Sequence, residues 1–178
     1  MILPVYAYGH PVLKKMGSEI DPSFDGLDAL IEDMWETMYY AKGVGLAAPQ
    51  VGHAIRLFVV DTIQIQEEGE EEKGIKKVFI NAQKVEETGN PWAYEEGCLS
   101  IPEVLIKVKR AESIVVVYMD ENNRQVHLRC NGLLAKVIQH ETDHLNGKLI
   151  VDYASLPEKV KFKKKLDILL KMHKGAES

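Results

Sequence analysis

The stretch Gln139-His140-Glu141-Thr142-Asp143-His144-Leu145-Asn146-Gly147 limits what this chain can be more than any other. On an α-helix, residues four apart stack on one face, about 6 Å along the axis. His140 and His144 at that spacing can close on one metal ion. Glu141 lies about 100° around the helix, close enough to handle a proton there and poorly aimed to be a third ligand. The helix has readable ends: Asn131 is placed to N-cap it, and Gly147 to end it in the left-handed conformation. Leu133, Val137, His140 and His144 form one stripe, and Leu134, Ile138, Glu141 and Leu145 a second. Lys136, Gln139 and Asp143 share the far side. Two largely apolar stripes predict a mostly buried helix, in which histidines need partners. A metal supplies them.

Two histidines do not complete such a site, which takes three protein ligands and one open position. The extended pattern with a third His after Gly147 fails, because Ile150 stands there. Downstream, Glu158 and Glu177 lie in lysine-rich or terminal sequence, so the third ligand is expected upstream. The chain has only two cysteines, Cys98 and Cys130. Cys98 sits in Glu96-Gly97-Cys98-Leu99-Ser100-Ile101-Pro102, on extended backbone before a proline. Cys130 precedes the helix and is too far along its axis to reach the same ion. Cys98 is therefore the expected third ligand.

The 178 residues suffice for one domain, and 46% hydrophobic with 28% charged residues is ordinary for a soluble globular protein. A net charge of −5 argues against general nucleic-acid binding, and no sequence-specific reader is expected. Residues 1–15 lack the apolar core of a signal peptide, and no apolar run approaches membrane-spanning length. A reducing cytosolic setting is expected, with the cysteines unpaired.

Along the chain, residues 1–24 read as an irregular arm. Residues 25–42 read as a helix with Asp25 as cap, and 55–62 as a strand. Gly43-Val44-Gly45-Leu46-Ala47-Ala48-Pro49-Gln50 carries the letters of a dinucleotide loop, but a helix precedes it and Pro49 follows, which excludes that reading. Its glycines let backbone approach a ligand, and Gln50 offers an amide donor. Residues 64–74 form an acidic solvated loop. Short strands are expected at 76–81 and 83–87, and further strands at 104–109, 113–119 and 125–130. A final amphipathic helix over 157–173 takes its apolar positions from Val160, Leu166, Ile168, Leu169 and Met172. Seven lysines fall between Lys159 and Lys174.

Three of these stretches, Gly43–Gln50, Glu96–Ser100 and Gln139–Gly147, together resemble peptide deformylase over nearly the whole chain. The resemblance implies an α+β fold, antiparallel sheets packed around a central metal-binding helix, as one catalytic domain over residues 1–178. It implies a metal-dependent hydrolase that removes the formyl group from N-terminal formyl-methionine of nascent proteins in the bacterial cytoplasm. A metallopeptidase using the same helix is the alternative. Cys98, His140 and His144 would hold one divalent ion. The family uses ferrous iron, helix spacing alone suggests zinc, and purified samples would also accept nickel or cobalt. Glu141 would shuttle the proton, with the Gln50 amide and the Leu99 N–H receiving the oxyanion. Val44, Gly45, Gly97, Leu133 and Val137 would bind substrate. Glu96, Arg110 and Asp143 resemble an ion network behind the ligands. Leu105 stands where some members have an arginine near the substrate path. The terminal lysines suggest weak ribosome contact.

Overall fold

The computed structural model describes the backbone of residues 1–177 and the side chains of residues 1–172. Its frame follows from the all-buried strand β2 (Leu57–Asp61). A strand covered on both faces reads as a continuous apolar run. Leu57 and Val59 face helix α1 (Leu27–Tyr40), packing with Leu30, Met34 and Met38. Phe58 and Val60 face helix α2 (Gly132–Leu145), packing with Ala135, Ile138 and Leu145. β1 (Gly45–Ala47) and β3 (Lys76–Thr88) flank β2, and β6 (Ser113–Met119) and β7 (Gln125–Asn131) extend the sheet. All pairings are antiparallel in the order β1-β2-β3-β6-β7. A separate hairpin, β4 (Trp92–Cys98) and β5 (Ile101–Arg110), covers α2 from the other side. This is the expected α+β arrangement around the histidine helix.

Several expectations change in detail. Helix α1 begins after Gly26, which takes a left-handed φ of 76°; Asp25 does not cap it. Asn131 occupies the N-cap position of α2, but its side chain makes no capping bond. The two short strands expected at 76–87 are one strand with register shifts near Asn81 and Glu86. Asn81 has φ 55°, and its amide exchanges hydrogen bonds with the backbone of Ile20, so the bend is held by the N-terminal arm rather than by a turn. The strand β4 was not expected, because its alternation is blurred by exposed Ala93, Tyr94 and Glu95.

The C-terminal end of α2 is fixed from two sides. Gly147 takes φ 73°, and Lys148 N–H closes onto the Asp143 carbonyl at 2.9 Å, as a left-handed helix end requires. A Cβ at Gly147 would meet the Lys14 carbonyl oxygen at 2.5 Å, so only glycine fits. Arg56 then donates to Leu145 O at 3.3 Å, Asn146 Oδ1 at 3.1 Å and Ala82 O at 2.8 Å, tying the helix end to β3.

Helix α3 (Leu156–Glu177) lies on β5 through Phe162, Leu166 and Leu169. Ser155 and Glu158 form a reciprocal cap at its start, and Glu158 also accepts from Lys107 N–H at 2.8 Å. Val160, Ile168 and Met172 do not join the apolar face as expected; they are 78%, 53% and 65% exposed. The side chain of Lys174 lies outside the described residues. Among the described residues no helix is long and apolar enough to cross a membrane.

Candidate metal centre

The geometry of the centre grows from α2 meeting the turn between β4 and β5. Helical spacing puts His140 and His144 on one face, with ring centroids 5.0 Å apart. The hairpin delivers Cys98 to the same point, its Sγ 3.5 Å from His144 Nε2. One ligand atom from each of Cys98, His140 and His144 lies within 4.8 Å of the others. Cys130 is buried elsewhere, under the sheet with Ile114 and Val116, and burial pushes its thiol up to about 11.

This trio fits a divalent ion. The set of one thiolate and two imidazoles suits a borderline-soft cation. His140 Nδ1 donates to Glu96 Oε1 at 2.9 Å, which leaves Nε2 for the ligand role. Glu96 is itself gripped by Arg110, whose Nε and Nη2 donate to its two oxygens at 2.6 and 2.8 Å. Arg110 Nη1 donates to Asp143 Oδ2 at 2.9 Å, and the Tyr153 hydroxyl donates to the same oxygen at 2.7 Å. The expected Glu96–Arg110–Asp143 network is therefore present, and Tyr153 extends it. No periodicity marks Tyr153 in the sequence; it arrives by the short helical turn Ile150–Tyr153.

Electrostatics follow from burial. Burial alone would raise Glu96, yet the His140 and Arg110 hydrogen bonds hold it below the usual carboxylate range. Burial opposes charge on His140, but Cys98 and Glu96 outweigh it and carry its pKa well above the ordinary value. Burial and the neighbouring His140 push His144 well below it. A cation and a proton thus compete for the same cluster. Glu141 is 4% exposed, and burial pushes it up to about 7. Its Oε1 has no hydrogen-bond partner among the described residues, and its Oε2 would lie 2.7 Å from a Cβ at Gly45. Only a glycine there leaves this carboxylate its position.

A cavity of about 690 Å³ opens onto the trio. Val44, Gly45, Gln50, Gly97, Cys98, Leu99, Leu133, Val137, His140 and Glu141 all line it, which brings every sequence-predicted residue except the innermost His144 to one cavity. Gln50 is oriented unambiguously. Ala47 N–H donates to its Oε1 at 3.0 Å, so Nε2 must face inward, 3.2 Å from Ser100 Oγ and 3.7 Å from Cys98 Sγ. Ser100, buried beside the motif cysteine, was not singled out in the sequence. Leu105 packs over Gly97 and is 51% exposed. Two further lining residues, Tyr94 and Lys136, were also missed. Lys136 was assigned to the far side of α2, yet it is 2% exposed.

The family model for polypeptide deformylase matches residues 2–160. A curated peptide deformylase of Christiangramia forsetii is 48% identical over 93% of this chain and 88% of its own length. One from Flavobacterium psychrophilum is 47% identical over 96% of this chain and 91% of its own. The solved peptide deformylase of Thermus thermophilus superposes with TM-score 0.85 at 37% identity, covering 97% of this chain and 99% of that one. The Plasmodium falciparum enzyme superposes with TM-score 0.88 at 32% identity, covering 98% and 99%.

Replacing Glu96 tests the support behind the ligands. Glu96→Ala removes the acceptor that orients His140 and leaves Arg110 buried with one partner fewer. Metal affinity in a chelator titration should fall about 10–100-fold, and stability to urea by about 3–5 kcal/mol. A variant that holds its metal as tightly as the wild type would show that His140 is oriented by packing alone.

Proposed function

The chain belongs to the polypeptide deformylase family, and from that premise we propose how the residues of its cavity divide the work. The reaction is metal-dependent hydrolysis of the formyl amide at the N-terminus of newly made peptides, releasing formate. Cys98, His140 and His144 hold the ion, a role supported by their mutual approach within 4.8 Å. When bound, the ion supplies Lewis-acid chemistry, favouring hydroxide over water near neutral pH and stabilising charge on the formyl oxygen. We assign ferrous iron as the native ion from the family resemblance, with zinc, nickel or cobalt as replacements in a purified sample.

Glu141 takes the proton of the attacking water as the new C–O bond forms. It then delivers that proton to the amine nitrogen as the C–N bond breaks. Glu141 lines the cavity beside the ligand histidine with a buried oxygen that no described residue bonds, and this placement is the observation that carries the assignment. The Gln50 Nε2 amide, fixed by Ala47 and Ser100, and the Leu99 backbone N–H donate to the developing oxyanion. Gly45 and Gly97 admit the substrate backbone. Leu133, Val137 and Val44 face the unbranched methionine side chain. Because the walls are largely apolar, the side chain of the first residue is bound by exclusion of water.

A second surface accompanies the cavity. Lys159, Lys161, Lys163, Lys164 and Lys171 on α3 are exposed. We propose that they make weak contact with ribosomal phosphate. Phe162 is buried under the same helix, so charge reversal tests this better than truncation. Lys163, Lys164 and Lys171 all changed to Glu should lower ribosome co-sedimentation at low salt while a short formyl-Met peptide is still turned over. Unchanged co-sedimentation would make these lysines an ordinary solvated face.

Glu141→Ala should keep the metal, since Glu141 is not a ligand, and lower formate release from a formyl-Met peptide by about 10²–10⁴-fold. Loss of the metal in this variant would overturn the role given to Glu141.

A further inference from the structure

Lys136 is the one buried lysine among the described residues, and no carboxylate pairs with it there. The nearest acid, Glu96, is already engaged by Arg110 and His140. The Lys136 ammonium instead donates to two backbone carbonyls, Trp92 O at 3.2 Å on β4 and Val108 O at 3.5 Å on β5. It lies 4.1 Å from the centre of the Trp92 ring and 5.5 Å from that of Tyr94. Tyr94 pairs with Val108 in the hairpin register, so this one cation touches both strands and both rings at a single point. Burial opposes its charge and lowers its pKa. An apolar side chain would fill the same volume without the desolvation of a cation.

The position gives the lysine its task. Lys136 and Tyr94 both line the cavity and meet there, Lys136 coming from α2 beside Val137 and Tyr94 from the hairpin. Tyr94 is 47% exposed, so packing alone holds it weakly. A cation over a ring face, desolvated on its other sides, holds that ring in place. We propose that Lys136 is a specificity-determining residue, whose ammonium pins Tyr94 and the β4–β5 edge to the metal helix and thereby fixes the width of the pocket for the substrate's first side chain. The inference rests on the reading of this cavity as the side-chain pocket. Lys136 acts through Tyr94 as a positioning residue and does not touch the reacting atoms.

The test compares kcat/KM for a formyl-Met and a formyl-Phe tripeptide of otherwise identical sequence. Lys136→Met keeps the aliphatic stem and removes the ammonium. The Met-to-Phe preference should fall by about tenfold, the scale on which apolar pockets discriminate shape, and the change should enter through KM of the bulky substrate rather than through kcat. Lys136→Arg keeps a cation on the rings and should retain the preference. Tyr94→Ala, at a half-exposed position that folding does not require, should lose it like Lys136→Met and decides the matter if Lys136→Met does not fold. A wild-type preference in either folded variant overturns the proposal, as does loss of the preference in Lys136→Arg. Val137→Phe separates the underlying reading. If it leaves KM for the formyl-Met peptide unchanged, the cavity is not the side-chain pocket. If it raises KM while Lys136→Met keeps its preference, only the role of the lysine fails.

Discussion

Glu96 and Arg110 stand on the two strands of the β4–β5 hairpin, each almost fully withdrawn from solvent; their bidentate contact joins the strands, and their further bonds to His140 and Asp143 tie the hairpin to the metal helix. Burying such a pair is costly, and the Coulomb gain repays the desolvation only when every remaining lone pair and proton is satisfied. Here each is used. The second acceptor position of Glu96 takes His140, and the remaining face of the guanidinium takes Asp143, itself fixed by Tyr153. The network joins α2 and the hairpin in the register seen here. That register brings the Cys98 sulfur to the two imidazoles.

The same burial explains the chemistry. A helix wrapped by a five-stranded sheet on one side and a hairpin on the other has most of its polar side chains withdrawn from solvent. Glu141 is raised towards neutrality there because burial strips its hydration, and its Oε1 has no partner among the described residues. Gln50 keeps a fixed direction because Ala47 and Ser100 occupy its other bonding positions. Electrostatic stabilisation of a developing charge depends on groups that need not reorient, and a close-packed interior supplies that at no further cost during the reaction. Gly43, Gly45 and Gly97 line the cavity, and a Cβ at the first two would press on Leu99 and on the Glu141 carboxylate.

The grouping of the candidate metal centre was legible because its residue types carry chemistry at fixed spacing. His140, Glu141 and His144 announce themselves on any helix, and Cys98 followed from the need for a third ligand. The strands β2 and β6 were legible from β-branched runs with one or both faces buried. What stayed hidden depends on tertiary contact. The strand β4 has little alternation to detect, because one face is the cavity rim. Lys136 and Gln139 look like a polar helix face, yet the first is buried against aromatic rings and the second donates to Ala111 O and Ala135 O. The Asp25 cap failed because Gly26 reaches a left-handed start that a side-chain cap does not need. The Ser155-x-x-Glu158 cap of α3 was not read in the sequence, although its spacing carries the signal.

All of this turns on one claim: Cys98, His140 and His144 together hold the ion, and Cys130 has no part in it. Metal content per chain after anaerobic loading and desalting measures it directly. The wild type and Cys130→Ser should each retain one divalent ion per chain, while Cys98→Ser, in which a thiolate becomes a poor hydroxyl ligand, should lose it on desalting. Equal metal content in the two cysteine variants would contradict the assignment of the centre.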